Sequence, residues 1–172
     1  MIMAAPEIHP PDSFHLRSAV GWLELGNPTE ASEEIARISP QALNHPDVLE
    51  VRWQVCAATQ SWDAALPVGE ALVEIVPKRA SSWIHRAYAL RRAQNGGLEK
   101  AWEALLPAVK LFPKNHMIPY NLACYAAQFG RLDEAWDWLQ KAIKAARDQA
   151  AIKQMALADH DLEPLWERIR QL

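Results

Sequence analysis

An alanine that recurs at nearly constant spacing constrains this chain more than any other feature. The recurring residues are Ala31, Ala65, Ala101 and Ala135. The steps between them are 34, 36 and 34 residues, and each alanine opens a stretch of amphipathic sequence. Pro77 and Pro113 close the second and third of these stretches. A period in this range is typical of repeat arrays, in which each unit buries its apolar face against its neighbours.

A second stretch with helical spacing precedes each alanine. Trp83, Ala87 and Leu90 are separated by four and three residues, which places them on one face of a helix. Gly26 and Gly130 lie between the two halves of the first and fourth units, where a helix commonly ends in a left-handed residue. The sequence therefore predicts a unit of helix, tight turn, helix and short loop.

This unit resembles the tetratricopeptide repeat (TPR), with its pattern W-x2-L-G-x2-Y, A-x3-F and P. The residues of the third unit that match are Trp83, Ala87, Leu90, Ala101, Leu105 and Pro113. We predict repeats at 12–45, 46–79, 80–115 and 116–147, after a flexible Pro-rich lead at 1–11 and before capping helices at 148–172. The resemblance, to bacterial TPR proteins in particular, implies an all-α right-handed superhelix of about four hairpins.

Several positions depart from the TPR pattern. Trp53 stands at a small-residue position, Gly69 stands at an aromatic one, and Gln60 takes the place of a junction glycine. Because proline lacks an N–H group, we expect Pro107 to kink its helix, whereas Pro67 lies near a helix start and costs little. These departures bear on local packing rather than on the repeat.

Composition narrows the function classes. With 172 residues and a formal net charge of −3, the chain suits one domain and lacks the basic stripe of a nucleic-acid binder. No apolar run is long enough to span a membrane, and the first residues do not resemble a signal peptide. The two cysteines form no CxxC pair, so a reducing, cytoplasmic location is expected.

No motif indicates catalysis, a metal or a cofactor. Cys124 has no histidine one turn away, and Cys56 takes an aromatic position, so both cysteines are expected in the core. The sequence DHD at 159–161 lacks further spaced ligands, and we expect Asp161 to cap the final helix instead. The sequence therefore predicts a protein that is not an enzyme, with no metal and no cofactor.

The eight tryptophans need an explanation. Trp102 and Trp136 directly follow repeat alanines and should pack between hairpins. Trp138 and Trp166 allow two interpretations: packing of the tail against the fourth unit, or an exposed apolar patch for a partner.

The remaining candidate site is the concave groove that the resemblance implies, lined by the first helix of each hairpin. The residues predicted to face it are Arg17, Gln54, His85, Tyr88, Arg91, Arg92, Tyr120, Asn121 and Gln128. Arginine and tyrosine are enriched in binding hot spots, and the alternative is a solvated face that binds nothing. The Lys/Asn/Arg clamp of co-chaperone TPR domains is absent, so that role is not supported.

The function predicted is a non-catalytic adaptor that binds a protein or peptide in this groove. Two alternatives stay open: a small chaperone for secreted proteins, acting as a homodimer, and a repeat scaffold that assembles with itself. Repeat arrays host many functions, so the sequence does not name the partner or the pathway.

Overall fold

The computed structural model describes residues 7–172, and these form helices, turns and loops without a strand. Most of the predicted lead, residues 1–6, lies outside the described residues. The helices are α1 (Asp12–Glu24), α2 (Pro28–Ala36), α3 (Pro46–Ala58), α4 (Trp62–Ile75), α5 (Ala80–Arg92), α6 (Leu98–Leu105), α7 (Ala108–Leu111), α8 (Met117–Gln128), α9 (Leu132–Ala145), α10 (Gln149–Ala158) and α11 (Trp166–Arg170), with a 3-10 segment at His160–Leu165.

The chain divides into two compact units, the first ending at Gly97 and the second running from Leu98 to Leu172. The division falls inside the third predicted repeat, between its two helices. The repeat boundaries predicted from the sequence stay predictions.

The recurring alanines are buried in both units. Ala31, Ala65, Ala101 and Ala135 are each 0 % exposed. The first unit packs α1 on α2, α3 on α4 and α4 on α5, and the second packs α8 on α9. A methyl group at these positions lets paired helices approach closely, which explains why the repeat is visible in the sequence.

Three helix–turn–helix junctions share one geometry. Gly26, Gln60 and Gly130 have φ of 73°, 55° and 74°. In each, the N–H of the next residue donates to the carbonyl five residues back, as from Ser61 N to Cys56 O at 2.8 Å. This is the left-handed helix ending that favours glycine, so Gln60 adopts it against its own preference.

Gly69 explains one departure from the repeat pattern. A Cβ atom at this position of α4 would lie 2.9 Å from Arg86 Cα and 3.0 Å from Arg86 N on α5. The absence of a side chain therefore permits the close contact between α4 and α5. An aromatic residue would force the two helices apart.

The second unit is built around α8, in which every residue from 118 to 127 is buried. Pro107 interrupts the preceding helix as expected: α6 ends at Leu105 and α7 begins at Ala108. Pro67, by contrast, lies inside the continuous helix α4.

The C-terminal tail packs against α8 and α9 through the 3-10 segment. Within this tail, residues 148–172, the buried apolar residues are Ile152, Ala156, Leu162, Leu165 and Ile169. The capping prediction was wrong: Asp159, not Asp161, is the N-cap, and its side chain accepts a hydrogen bond from Asp161 N at 3.0 Å. The cap lies two residues earlier because the turn starts as a 3-10 segment directly after α10.

Candidate functional site

The predicted groove residues lie in both units, and each unit is described by itself. In the first unit, His85, Tyr88 and Arg92 come together on α5 next to side chains of α3. Gln54 is exposed on α3 and Arg91 is half-buried on α5. Arg17 lies on α1, where its guanidinium is 5.7 Å from the centre of the Phe14 ring. We call the surface formed by Glu50, Trp53, Gln54, His85, Tyr88 and Arg92 the α3–α5 face.

A ring stack forms the centre of the α3–α5 face. The rings of Trp53 and His85 lie parallel, with centroids 3.9 Å apart and planes at 11°. Tyr88 meets Trp53 edge-on, with centroids 6.2 Å apart. The tryptophan that departs from the small-residue rule thus fills the space between α3 and α5, and it was missing from the predicted site. Its unusual position in the repeat was the signal for it.

A polar pair lies beside this stack. His85 Nδ1 is 3.3 Å from Glu50 Oε1. His85 Nδ1 and Glu50 Oε2 nevertheless make no hydrogen bond of good geometry to any described residue. Burial lowers the pKa of His85 to about 4, so the ring is neutral at pH 7. Burial also raises the pKa of Glu50. Polar atoms left without partners reduce the free energy of unfolding.

A cation–π cluster forms the other end of the α3–α5 face. The guanidinium carbon of Arg92 lies 3.6 Å from the centre of the Tyr88 ring and 5.3 Å from that of Trp62. Arg92 Nη1 also donates to Tyr88 O at 3.2 Å. Two aromatic rings therefore hold the guanidinium in place. A guanidinium has five N–H donors, and the bond to Tyr88 O uses one of them.

In the second unit, the predicted groove residues contact the chain itself. Tyr120 is 4 % exposed, and its hydroxyl donates to Asp159 Oδ2 at 3.0 Å. Burial first, and then the neighbouring Cys124 and Asp159, raise the pKa of this hydroxyl. Asn121 donates to Met117 O at 2.8 Å within α8. Gln128 donates to Asp161 O at 3.3 Å, and we therefore leave these side chains out of the proposed site.

One group of side chains has the composition of a metal site. Ligand atoms of Cys124, Asp159 and Asp161 lie within 4.8 Å of one another. Asp159 is already engaged through both oxygens, since Oδ2 accepts from Tyr120 and Oδ1 accepts from Asp161 N. Cys124 Sγ lies 3.5 Å from the same Oδ2. These contacts satisfy the group within the chain, and the prediction of no metal stays a prediction.

The sequence allowed Trp138 and Trp166 either to pack the tail against the fourth unit or to form an exposed apolar patch, and the two residues differ in their surroundings. Trp166 packs within the tail, with Nε1 donating to Ala156 O at 3.0 Å. Trp136 also meets the tail, because the Arg168 guanidinium lies 4.6 Å from the centre of its ring. Trp138 instead lies edge-on to Trp102, with centroids 6.3 Å apart. Trp138 also lines an open cavity of the second unit.

Comparison with known proteins gives the fold. No protein-family model matches the sequence, and no curated protein matches it. The solved structure of TTC0263, a thermophilic TPR protein of Thermus thermophilus, is 20% identical and has a TM-score of 0.69, with 94% of this chain and 100% of that one covered. A MamA RS-1 double mutant is 22% identical with a TM-score of 0.69, covering 81% of this chain and 77% of that one.

A second MamA structure is 15% identical with a TM-score of 0.67, and covers 78% of each chain. Among the described helices, none is long and apolar enough to cross a membrane. Identities this low establish the fold alone, and that fold agrees with the repeat in the sequence and with the helical hairpins. The all-α fold class predicted from the sequence is confirmed: the chain has the fold of a TPR-type protein.

Proposed function

We propose that this protein is a non-catalytic adaptor that binds a peptide segment of another protein on the α3–α5 face. The observation that carries the proposal is the cluster in which Arg92 is stacked on Tyr88 and Trp62. Arginine and tyrosine, with tryptophan, are the side chains most enriched in binding hot spots, and here the arginine is already ordered before a ligand arrives.

The chemistry of the face suits a peptide. The Arg92 guanidinium can donate to a backbone carbonyl or a carboxylate, and the half-buried Tyr88 ring offers apolar contact. Exposed Gln54 on α3 supplies both a donor and an acceptor for a peptide group.

The shifted pKa values of His85 and Cys56 favour binding over catalysis. A general acid or base works best when its pKa lies near the working pH. Burial moves the pKa of His85 down to about 4 and raises the pKa of the Cys56 thiol, so neither group is poised at neutral pH. Both cysteines are free thiols, which supports the proposal of a cytoplasmic location.

The test is a pull-down from the host's lysate with the intact protein and with a Tyr88→Ala/Arg92→Glu variant. The control is Arg147→Glu, which makes the same charge change at an exposed arginine of the second unit. Circular dichroism first establishes that all baits are folded. We expect a protein retained by the intact bait and the control but not by the double variant.

Other outcomes of the pull-down contradict the proposal. Retention of the same protein by every bait places binding outside the α3–α5 face. Retention of nothing by any bait argues against an adaptor and favours self-assembly, which light scattering over a range of concentrations would then detect.

A further inference from the structure

The second unit contains an open, mainly apolar cavity that the α3–α5 face does not involve. Its volume is about 370 Å³, and Phe112, Pro119 and Trp138 supply much of its lining. This size is near the lower end of the range for ligand pockets, so the cavity has room for an apolar side chain rather than for a large cofactor.

Trp138 is held in position from within the unit. Its ring lies edge-on to Trp102 at 80°, and Trp102 in turn lies edge-on to Phe129, with centroids 6.0 Å apart. An aromatic ring fixed by other aromatic rings loses little conformational freedom when a ligand binds. The apolar wall of the cavity is therefore already formed without a ligand.

The rim of the cavity is positively charged. Lys141 and Lys144 follow Trp138 at intervals of three residues on α9, and all three line the cavity. Lys141 Nζ lies 4.0 Å from the centre of the Trp138 ring. No acidic side chain lines this cavity. Neither lysine forms an ion pair within residues 7–172.

The helix dipole explains only one of the two lysines on the rim of the cavity. A lysine in the last turn of a helix stabilises the helix dipole, which accounts for Lys144. Lys141 lies almost one turn earlier and over a tryptophan ring, so the dipole does not explain it. In a chain whose net charge is −3, a cavity with cations and no acid on its rim selects an acidic partner by charge complementarity.

Helix α7, whose Val109 lines the cavity, also lines a second apolar hollow of the second unit. The short helix α7 leaves Leu111 55 % exposed, and Lys110 precedes it. Leu111 and Lys110 line this second open hollow, together with Leu106, Pro107 and the acidic Glu103. A surface with apolar hollows and adjacent lysines suits an extended peptide better than a single small molecule.

We propose that this cavity is a second docking site, which binds an acidic peptide segment of a partner protein through an inserted apolar side chain. The aromatic or aliphatic side chain packs on Trp138, and Asp or Glu residues on either side of it pair with Lys141 and Lys144. An anionic membrane offers the same charge, but a membrane surface is bound by protruding apolar side chains rather than by a hollow. The proposal does not rest on the α3–α5 face.

The test is a selection of random displayed peptides on the immobilised full chain, followed by anisotropy measurements with the best synthetic peptide. We expect enriched sequences with an aromatic or aliphatic residue flanked by Asp or Glu. Lys141→Glu/Lys144→Glu should weaken binding by about tenfold or more, since it reverses both rim charges. Trp138→Ala should weaken it as well.

Two controls separate this site from the α3–α5 face and from a general charge effect. Lys78→Glu reverses the charge of one exposed lysine of the first unit, which lines neither hollow. Its peptide affinity is compared with that of Lys144→Glu alone, and Lys78→Glu should bind the more tightly of the two. Tyr88→Ala/Arg92→Glu should leave the affinity unchanged.

The proposal is overturned if no peptide is enriched or if the enriched peptides lack acidic residues. It is also overturned if Lys141→Glu/Lys144→Glu binds the peptide as tightly as the wild type does. Binding to phosphatidylserine vesicles that Lys144→Glu abolishes, without any enriched peptide, would also overturn it in favour of a membrane surface. Loss of peptide binding in Tyr88→Ala/Arg92→Glu alone would place that peptide on the α3–α5 face instead.

Discussion

The α3–α5 face of the first unit and helix α8 of the second unit carry similar side chains with different roles. On the α3–α5 face, Tyr88 and Arg92 are half-buried and stack on each other. On α8, Tyr120 is buried and donates to Asp159 in the C-terminal tail. We propose that the first arrangement binds a ligand, whereas the second contacts the tail. A tyrosine on the first helix of a predicted hairpin thus does not by itself mark a binding surface.

The largest expected effect tests whether the tail is structural. Leu165 is fully buried in the 3-10 segment, so Leu165→Ala should lower the free energy of unfolding by about 2–5 kcal/mol. Urea denaturation measures the change. Leu172→Ala removes an equal number of atoms at a residue that is 51 % exposed, and should change stability by less than about 0.5 kcal/mol. Equal effects of the two variants would show that the tail does not pack as described.

The next effect tests the close contact that supports the first unit. Gly69→Ala places a Cβ atom 2.9 Å from Arg86 Cα, so α4 and α5 must separate, at a cost of about 1–3 kcal/mol. Gly21→Ala is the matched control, because nothing lies within 4 Å of a Cβ atom at that position of α1. It should stabilise the protein by up to about 1 kcal/mol through helix propensity. Stabilisation by both variants would contradict the described packing.

A smaller effect concerns the dependence of stability on pH. The pKa of His85 is lowered from its usual 6.5 to about 4, so the unfolded chain binds this proton more tightly and stability falls as the pH falls from 6.5 towards 4. Between pH 7 and pH 5 this loss is about 2 kcal/mol. His85→Phe keeps the stack on Trp53 and should remove that loss, as measured by urea denaturation at both pH values.

Glu50 provides a second test, because its protonation changes stability in the direction opposite to that of His85. Its pKa is raised, so protonation of Glu50 adds stability as the pH falls through the folded-state pKa. Glu50→Gln should therefore make the acid loss of stability steeper than in the wild type. The same acid loss in wild type and in His85→Phe would show that His85 is not buried in the neutral form.

The smallest effect concerns the junction turns that occur in both units. Gln60 has φ of 55°, where glycine is favoured, so Gln60→Gly relieves backbone strain. Glycine also raises the entropy of the unfolded chain, which offsets part of this gain, and the net stabilisation should be about 0.5 kcal/mol. Gly26→Ala at φ of 73° meets no neighbouring atom and should be destabilising by about 1 kcal/mol through backbone strain alone. Thermal denaturation measures both changes. Destabilisation by Gln60→Gly, or stabilisation by Gly26→Ala, would contradict the assigned backbone conformation.

Much of the fold could be predicted because the repeat is local. The spacing of Ala31, Ala65, Ala101 and Ala135 determines which side of each helix is buried, and Pro107 and Gly130 act within a few residues of themselves. The site was less predictable because it depends on contacts distant in sequence. Nothing near Tyr120 indicates that Asp159, 39 residues later, accepts its hydrogen bond.

The α3–α5 face also depends on contacts that the sequence alone does not indicate. The sequence places His85, Tyr88 and Arg92 on one helix, but the partners of His85 come from α3 and depend on side-chain orientation. Trp53 was visible only as a departure from the pattern. Departures of this kind were the most useful indications of local packing, as Gly69 also shows.

The measurement that tests the central comparison most directly is the affinity of two variants for the partner protein retained in the pull-down, together with their unfolding free energies. Tyr88→Ala/Arg92→Glu should lose affinity by about tenfold or more, since truncated hot-spot residues typically cost that much. Tyr120→Phe should keep its affinity and lose about 1–2 kcal/mol of stability, because Asp159 loses a buried hydrogen bond. Loss of affinity in Tyr120→Phe, with no loss in the double variant, would contradict the account.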